Sequence, residues 1–175
     1  RDLAWITGYE IWREALSSCA VISRKYAKTL PCRDFLTHIM DADKEKEKLI
    51  KIAQGMCAKA YCNYSKVTVG AALLCDDGTV ITGCNVENAS YGLTICAERT
   101  AVVKAVSEGY RSFKAIAVAS NMNDFTMPCG ACRQFMVEFG KNLVVHAVAA
   151  DGRVLTKRLD ELLPFSFGAV DLPPK

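Results

Sequence analysis

Bulky apolar residues recur along the chain in two rhythms. Near the start, Trp5, Tyr9, Trp12 and Leu16 are spaced four, three and four apart, which sets them on one face of a helix. Ser18 to Leu30 continues that texture until Pro31, a residue that interrupts helices. Residues 1–43 therefore read as an N-terminal extension, helical or partly disordered, and 44–175 as the main domain. Asp2, Glu10 and Glu14 argue against a targeting peptide, which needs an acid-poor composition.

From Asp43 the elements alternate. Asp43 is positioned to cap a helix whose apolar face is Leu49, Ala53, Met56 and Ala60. Val67–Cys75 predicts a strand, Asp76-Asp77-Gly78 a tight turn, and Thr79–Cys84 the antiparallel return. A helix over 96–108 ends near Gly109, a residue suited to a left-handed cap. Lys114–Ser120 predicts a buried strand, and Cys129–Phe139 a helix stopped by Gly140. Leu143–Ala150, Asp151-Gly152 and Arg153–Thr156 predict strand, turn and strand, and Leu159–Leu163 a last helical turn before Pro164. Strands alternating with helices imply an α/β fold around one sheet.

Composition narrows the class without choosing a function. With 175 residues, 51% hydrophobic and 23% charged, the chain is long and apolar enough for a real core. A net charge of +3 gives no reason to expect a polyanionic partner, so no nucleic acid is expected. Apolar runs fall short of the roughly 18–20 residues that span a bilayer, so no membrane is expected either. Nine cysteines, an odd number, with no secretory pattern suggest a reducing, cytoplasmic setting and a role as metal ligands or reactive thiols.

The chemistry concentrates in Cys96-Ala97-Glu98 and Pro128-Cys129-Gly130-Ala131-Cys132. Cys129 and Cys132 are three apart, so in the first turn of a helix both sulfurs can face one point. Cys96 also opens a predicted helix, and helix N-termini favour thiolates. Three protein ligands leave one tetrahedral position to water, the mark of a catalytic zinc site. Glu98, two residues from Cys96, can stand beside the metal without binding it, where it could move protons as a general acid–base. Each part has a plainer alternative. The CxxC could be a redox pair, half of a structural site or two buried thiols, and Cys57 or Cys62 could close the site as a fourth ligand.

Four runs of residues carry a resemblance. They are Gly83-Cys84-Asn85-Val86-Glu87-Asn88-Ala89, Cys96-Ala97-Glu98-Arg99-Thr100-Ala101, Pro128-Cys129-Gly130-Ala131-Cys132-Arg133-Gln134, and Leu162-Leu163-Pro164 with Ser166-Phe167-Gly168. From about Ala60 to Leu172 the chain closely resembles the small, homotetrameric cytidine deaminases. The resemblance implies a three-layer α/β/α fold with a mixed five-stranded sheet, one Zn2+ per subunit on Cys96, Cys129 and Cys132, and Glu98 as proton shuttle. It further implies that Asn85 and Glu87 hold the ribose 3′-hydroxyl, that the loop Asn85, Val86, Glu87, Asn88, Ala89, Ser90 and Tyr91 lines the nucleoside site, and that the backbone around Ala97 meets the cytosine's polar edge. Phe167 would come from a neighbouring subunit to pack on the base, and Tyr91 would also cross subunits. The implied activity is hydrolytic deamination of free cytidine and deoxycytidine, as in pyrimidine salvage.

Three thiolates on zinc leave a charge near −1, and Arg99, which the family turns toward ligand sulfurs, can offset it. Gln134 is a candidate for a similar, neutral role; a structural ion pair is the plainer reading of Arg99. Two positions depart from the family: Asn63 stands where Pro is usual, and Val67 where an aromatic often faces the base, a loss of about 0.5–1.5 kcal/mol of stacking. The extension before residue 43 has no counterpart in the minimal pattern.

Three rivals remain. A polynucleotide deaminase would set Glu87 against a phosphodiester, which repels it. A non-catalytic zinc-stabilised protein would release no ammonia from cytidine. Deamination of another aminated heterocycle would need a panel of substrates.

Overall fold

The first helix of the described residues carries a run of charge at 41–48. The computed structural model describes residues 32–173, with side chains from Met40 onward. The expected face of Trp5, Tyr9, Trp12 and Leu16 and the stretch Ser18–Leu30 lie outside the described residues. Helix α1 spans Cys32–Met56, so Asp43 lies in its interior and does not cap it. The reason is local: residues 41–48 alternate acids and lysines with only Ala42 between them, and an exposed helical stretch of this kind shows no apolar period. Leu49 and Ala53 form its buried face. The helix stops at Met56 and tightens into a 3-10 turn, Cys57–Lys59, which leaves Ala60 outside the face predicted for it.

Five strands follow: β1 Val69–Cys75, β2 Val80–Cys84, β3 Phe113–Ser120, β4 Val144–Val148 and β5 Val154–Arg158. They form one sheet in the order β2-β1-β3-β4-β5. β1 runs antiparallel to β2 and β3, β3 and β4 are parallel, and β5 returns antiparallel to β4. Helices α2 (Ala97–Ser107), α3 (Gly130–Val137) and α4 (Leu159–Leu162) complete the chain order. The mixed five-stranded α/β architecture expected from the sequence is present.

Alternation along the strands makes the two faces of the sheet different. Leu73 of β1 and Ile116 and Val118 of β3 bury large side chains in the cluster that also holds Ala97, Ala101, Val102 and Met136 of α2 and α3. On the opposite face, β3 presents Ala115, Ala117 and Ala119 to Leu49 and Ala53 of α1. Small residues there let the single helix approach closely. Two glycines mark where backbones meet. A β-carbon on Gly70 would stand 2.1 Å from the Ala53 carbonyl oxygen, and one on Gly83 would stand 2.4 Å from the Ala97 carbonyl oxygen. Gly83 thereby fixes how the N-terminus of α2 sits on β2. Among the described residues no helix is long and apolar enough to cross a membrane.

Candidate functional site

Two helix N-termini converge on one point. Cys96 is the residue preceding α2 and Cys129 the residue preceding α3, each with extended backbone, so each thiol leaves the chain where the helix amides are unpaired. Cys132 lies in the first turn of α3, on the same side as Cys129. The loop that delivers Cys129 is pinned from behind: the Ser120 and Thr126 hydroxyls are 2.6 Å apart, and Thr126 donates to the Val148 carbonyl at 3.2 Å. Arg133 adds a staple, donating through Nε to the Pro128 carbonyl at 2.7 Å and through Nη1 to the Leu162 carbonyl at 2.9 Å.

The three sulfurs all lie within 4.8 Å of one another. Cys96 and Cys129 are 3.9 Å apart, and Cys129 and Cys132 are 3.6 Å apart. Sulfurs at the corners of a tetrahedron, each about 2.3 Å from a zinc ion, stand about 3.8 Å from one another. Among the described residues neither Cys57 nor Cys62 joins this group. The Cys57 thiol instead donates to the Ala119 carbonyl at 3.4 Å. The donor set and spacing therefore fit a soft divalent ion with a corner left over, and they suit zinc.

Charge in the cluster follows from its contacts. The hydrogen bond with Cys132, then those with Arg99 and Cys129, hold the Cys96 thiol down to about 5. The same shared bond, with burial, pushes the Cys132 thiol up. Arg99 Nη2 donates to the Cys96 sulfur at 3.6 Å and to the Thr94 carbonyl at 3.3 Å. Its Nε is buried without a partner among the described residues. Glu98 is 4% exposed, and burial raises its carboxyl to about 7, with the Cys132 thiol and the Arg99 charge acting the other way. A carboxyl poised near neutrality can both take and give a proton.

The remaining predicted residues fall into two groups. Along the loop from Asn85, side chains alternate: Asn85 and Glu87 are buried, while Val86, Asn88, Ala89, Ser90 and Tyr91 are exposed. The loop is tied to the metal-ligand segment, because Val86 pairs with both Tyr61 and Ile95, the residue before Cys96. Asn85 clamps the chain entering β1, accepting from Val69 N at 2.8 Å and donating to the Val67 carbonyl at 2.8 Å. Ala97 is fully buried. Phe167 is half exposed, and its carbonyl accepts from Gln134 Nε2 at 2.9 Å, so Gln134 is engaged with the C-terminal segment.

Two residues escaped the sequence reading. Asn121 accepts from Thr68 N at 3.1 Å and donates to the Lys66 carbonyl at 3.0 Å, so it holds the segment before β1. Arg133 follows Cys132 directly, yet no spacing announces its bond to Leu162. A separate cavity of about 320 Å³, lined by Gln54, Cys57, Thr68, Ala119, Ser120, Asn121, Ala149 and Ala150, contains none of the predicted site residues.

Comparison with known proteins agrees with the geometry. The family described as "Cytidine and deoxycytidylate deaminase zinc-binding region" matches residues 43–148. A probable cytidine deaminase of Dictyostelium discoideum is 55% identical over 132 residues, covering 75% of this chain and 89% of that protein. A cytidine deaminase of Sporosarcina psychrophila is 47% identical over 127 residues, 72% of this chain and 93% of that one. Among solved structures, a cytidine deaminase from Burkholderia pseudomallei superposes with a TM-score of 0.67 at 48% identity, covering 69% of this chain and 98% of that one.

Proposed function

The chain belongs to the cytidine and deoxycytidylate deaminase zinc-binding family, and from that premise we propose that it hydrolyses the 4-amino group of cytidine and deoxycytidine. The products are uridine or deoxyuridine and ammonia. The observation that carries the reading is the trio of sulfurs from Cys96, Cys129 and Cys132 with the buried carboxyl of Glu98 bonded to the Cys132 thiol. Those three cysteines would hold the zinc ion. When bound, the ion supplies Lewis acidity and makes water a competent nucleophile near neutral pH.

The chain's own residues do the rest. Glu98 takes a proton from the attacking water and passes it to N3 of cytosine as the oxygen adds to C4. It then takes the remaining proton from the oxygen added at C4 and delivers it to the amine, so that the C4–nitrogen bond breaks, the C4 carbonyl forms and ammonia leaves. Its burial, which raises the carboxyl to about 7, supports a role that needs both protonation states. Arg99 offsets the negative charge of the thiolates. Asn85 and Glu87 take the ribose 3′-hydroxyl, with Val86, Asn88, Ala89, Ser90 and Tyr91 lining the nucleoside site and Ala97 offering backbone to the base.

The exposed Tyr91, Phe165, Phe167 and Val170 support assembly into a homotetramer, in which Phe167 reaches a neighbour's site. Gln134 then positions the Phe167 segment through its carbonyl. Residues 44–175 are the catalytic domain and 1–43 an appended extension. A reducing, cytoplasmic setting suits thiols used as ligands.

Glu98→Gln tests the core of the proposal. The variant is expected to keep zinc and lose roughly 10²–10⁴-fold in turnover, the range typical of a general acid–base. Zinc content and uridine formation are measured on one sample. Wild-type turnover by the glutamine variant removes Glu98 from this role.

A further inference from the structure

The segment 64–68, between the 3-10 turn and β1, is held by side chains that belong to the loops around it. Glu87 accepts from Tyr64 N at 2.8 Å and from Ser65 N at 3.2 Å, both on Oε2. The Ser65 hydroxyl donates to the other oxygen, Oε1, and in turn accepts from Val67 N at 3.1 Å. Lys66 adopts φ of 62°, a left-handed conformation that is uncommon for residues other than glycine. Asn121 brackets this turn, donating to Lys66 O and accepting from Thr68 N on either side of Val67.

These contacts restrict what Glu87 can still do. A carboxylate offers about four acceptor positions. Two on Oε2 are taken by amides and one on Oε1 by the Ser65 hydroxyl, which leaves a single direction on Oε1 among the described residues. Glu87 N also donates to the Tyr61 carbonyl at 2.7 Å, and neighbouring Val86 bridges to Ile95, so the carboxylate's root is fixed to the segment that ends in Cys96. The carboxylate is thus fully oriented from both ends, with one position to offer.

We propose that Ser65 is a positioning residue for substrate: by fixing Oε1 of Glu87 it aims the remaining acceptor at the sugar hydroxyl, and so contributes to selection of a nucleoside with a free 3′-hydroxyl. The inference rests on the reading of Glu87 as a ribose-binding residue and adds the residue that orients it. The Ser65 hydroxyl, with the Tyr64 and Ser65 amides, also holds the Glu87 carboxyl below its ordinary range. Ser65 touches neither the cysteines nor Glu98 in any contact described, so its effect falls on binding rather than on the chemical step.

The test compares wild type, Ser65→Ala and Glu87→Gln on cytidine and on 3′-deoxycytidine. A lost hydrogen bond to a charged group is expected to raise KM for cytidine about 10-fold in Ser65→Ala, with kcat within about 3-fold. KM for the 3′-deoxy substrate should move less than about 2-fold, because it has no hydroxyl to be aimed at. Ser65→Thr, which keeps the hydroxyl, should restore the wild-type KM. If Ser65→Ala loses the wild-type melting profile, Ser65→Cys, of similar shape and weaker donor strength, is read in its place against the same expectations. An equal effect on both substrates, or an unchanged KM for cytidine, overturns the assignment of Ser65. If Glu87→Gln also leaves the discrimination between the two substrates intact, the reading of Glu87 itself falls, and the assignment of Ser65 with it.

Discussion

Gly83 offers the sharpest test of how the site is seated. Replacing it by alanine would place a methyl group 2.4 Å from the Ala97 carbonyl oxygen, 2.5 Å from Ala101 N and 3.0 Å from Ala101 Cα. All three neighbours are backbone atoms of α2, so no side chain can swing aside. Gly83 carries no left-handed backbone requirement, which leaves the clash as the sole cost. To regain ordinary contact, the first turns of α2 must retreat from β2 by about 1 Å. Overpacking of this kind costs about 1–3 kcal/mol, a fall in Tm of roughly 3–15 °C for a domain of this size.

The activity should suffer more than the stability. Cys96 precedes α2 and Glu98 lies in its first turn, so both move with the helix while Cys129 and Cys132 stay on α3. Misplacement of reacting groups by about 1 Å can cost roughly 100-fold in rate. Gly83→Ala is therefore expected to lose zinc more readily and to turn over about 10–100-fold more slowly. Gly55→Ala is the control: a β-carbon there meets nothing within 4 Å, and the helix should gain up to about 1 kcal/mol. Melting temperature, zinc per chain and kcat are read together. A Gly83→Ala protein with wild-type values of all three would show that α2 does not rest on β2 through this glycine.

Two further expectations concern pH and metal. Burial, then the nearby Lys46, lowers His146 to about 4. The unfolded chain, with its ordinary value near 6.5, then binds the extra proton first, so stability is complete above about pH 6.5 and falls as pH drops toward about 4, by at most about 3 kcal/mol. Denaturant titrations between pH 4 and 7 should show this slope and its loss in His146→Asn, which keeps a bond to the Thr156 hydroxyl, 3.0 Å from Nδ1 in wild type; an unchanged slope in the variant would clear His146. Stripping with a chelator should abolish uridine formation and lower Tm, with both restored by one zinc per chain. Full activity in a sample shown to be metal-free would refute the assignment of the three cysteines.

Much of the fold is legible because its punctuation is local. Asp76-Asp77-Gly78 turns the chain where expected, with φ of 90° at Gly78, and Gly109, Gly140 and Gly152 take positive φ where helices or strands end. Boundaries slipped where a stretch carries no apolar rhythm. α1 begins at Cys32 rather than near Asp43, behind charges that alternate without a buried face. β5 runs to Arg158 rather than Thr156, since Thr156, Lys157 and Arg158 are exposed on a sheet edge and owe their strand geometry to pairing with Val144 and its neighbours. β1 begins at Val69 rather than Val67, because Thr68 N bonds the Asn121 side chain and the Val67 carbonyl bonds that of Asn85, instead of a neighbouring strand.

The site divides along the same line. Ligand residues announce themselves, because a metal needs donors at fixed separations and two of them can be met within one helical turn: Cys129 and Cys132 show it in three residues. The residues that hold the ligands in place need only reach a backbone carbonyl or amide, and any spacing in the chain will serve. Arg133 bonds Leu162, Gln134 bonds Phe167 and Asn121 bonds Thr68, across gaps that carry no pattern. Even Gly83, two residues before Asn85, conceals its purpose, since closeness to Ala97 is a property of two elements and not of either. Short-range chemistry can therefore be read from order alone, whereas the geometry that makes it effective is written in contacts between distant positions. A substitution at any of these distant partners should accordingly change rate or KM while leaving the cysteine and glutamate pattern intact.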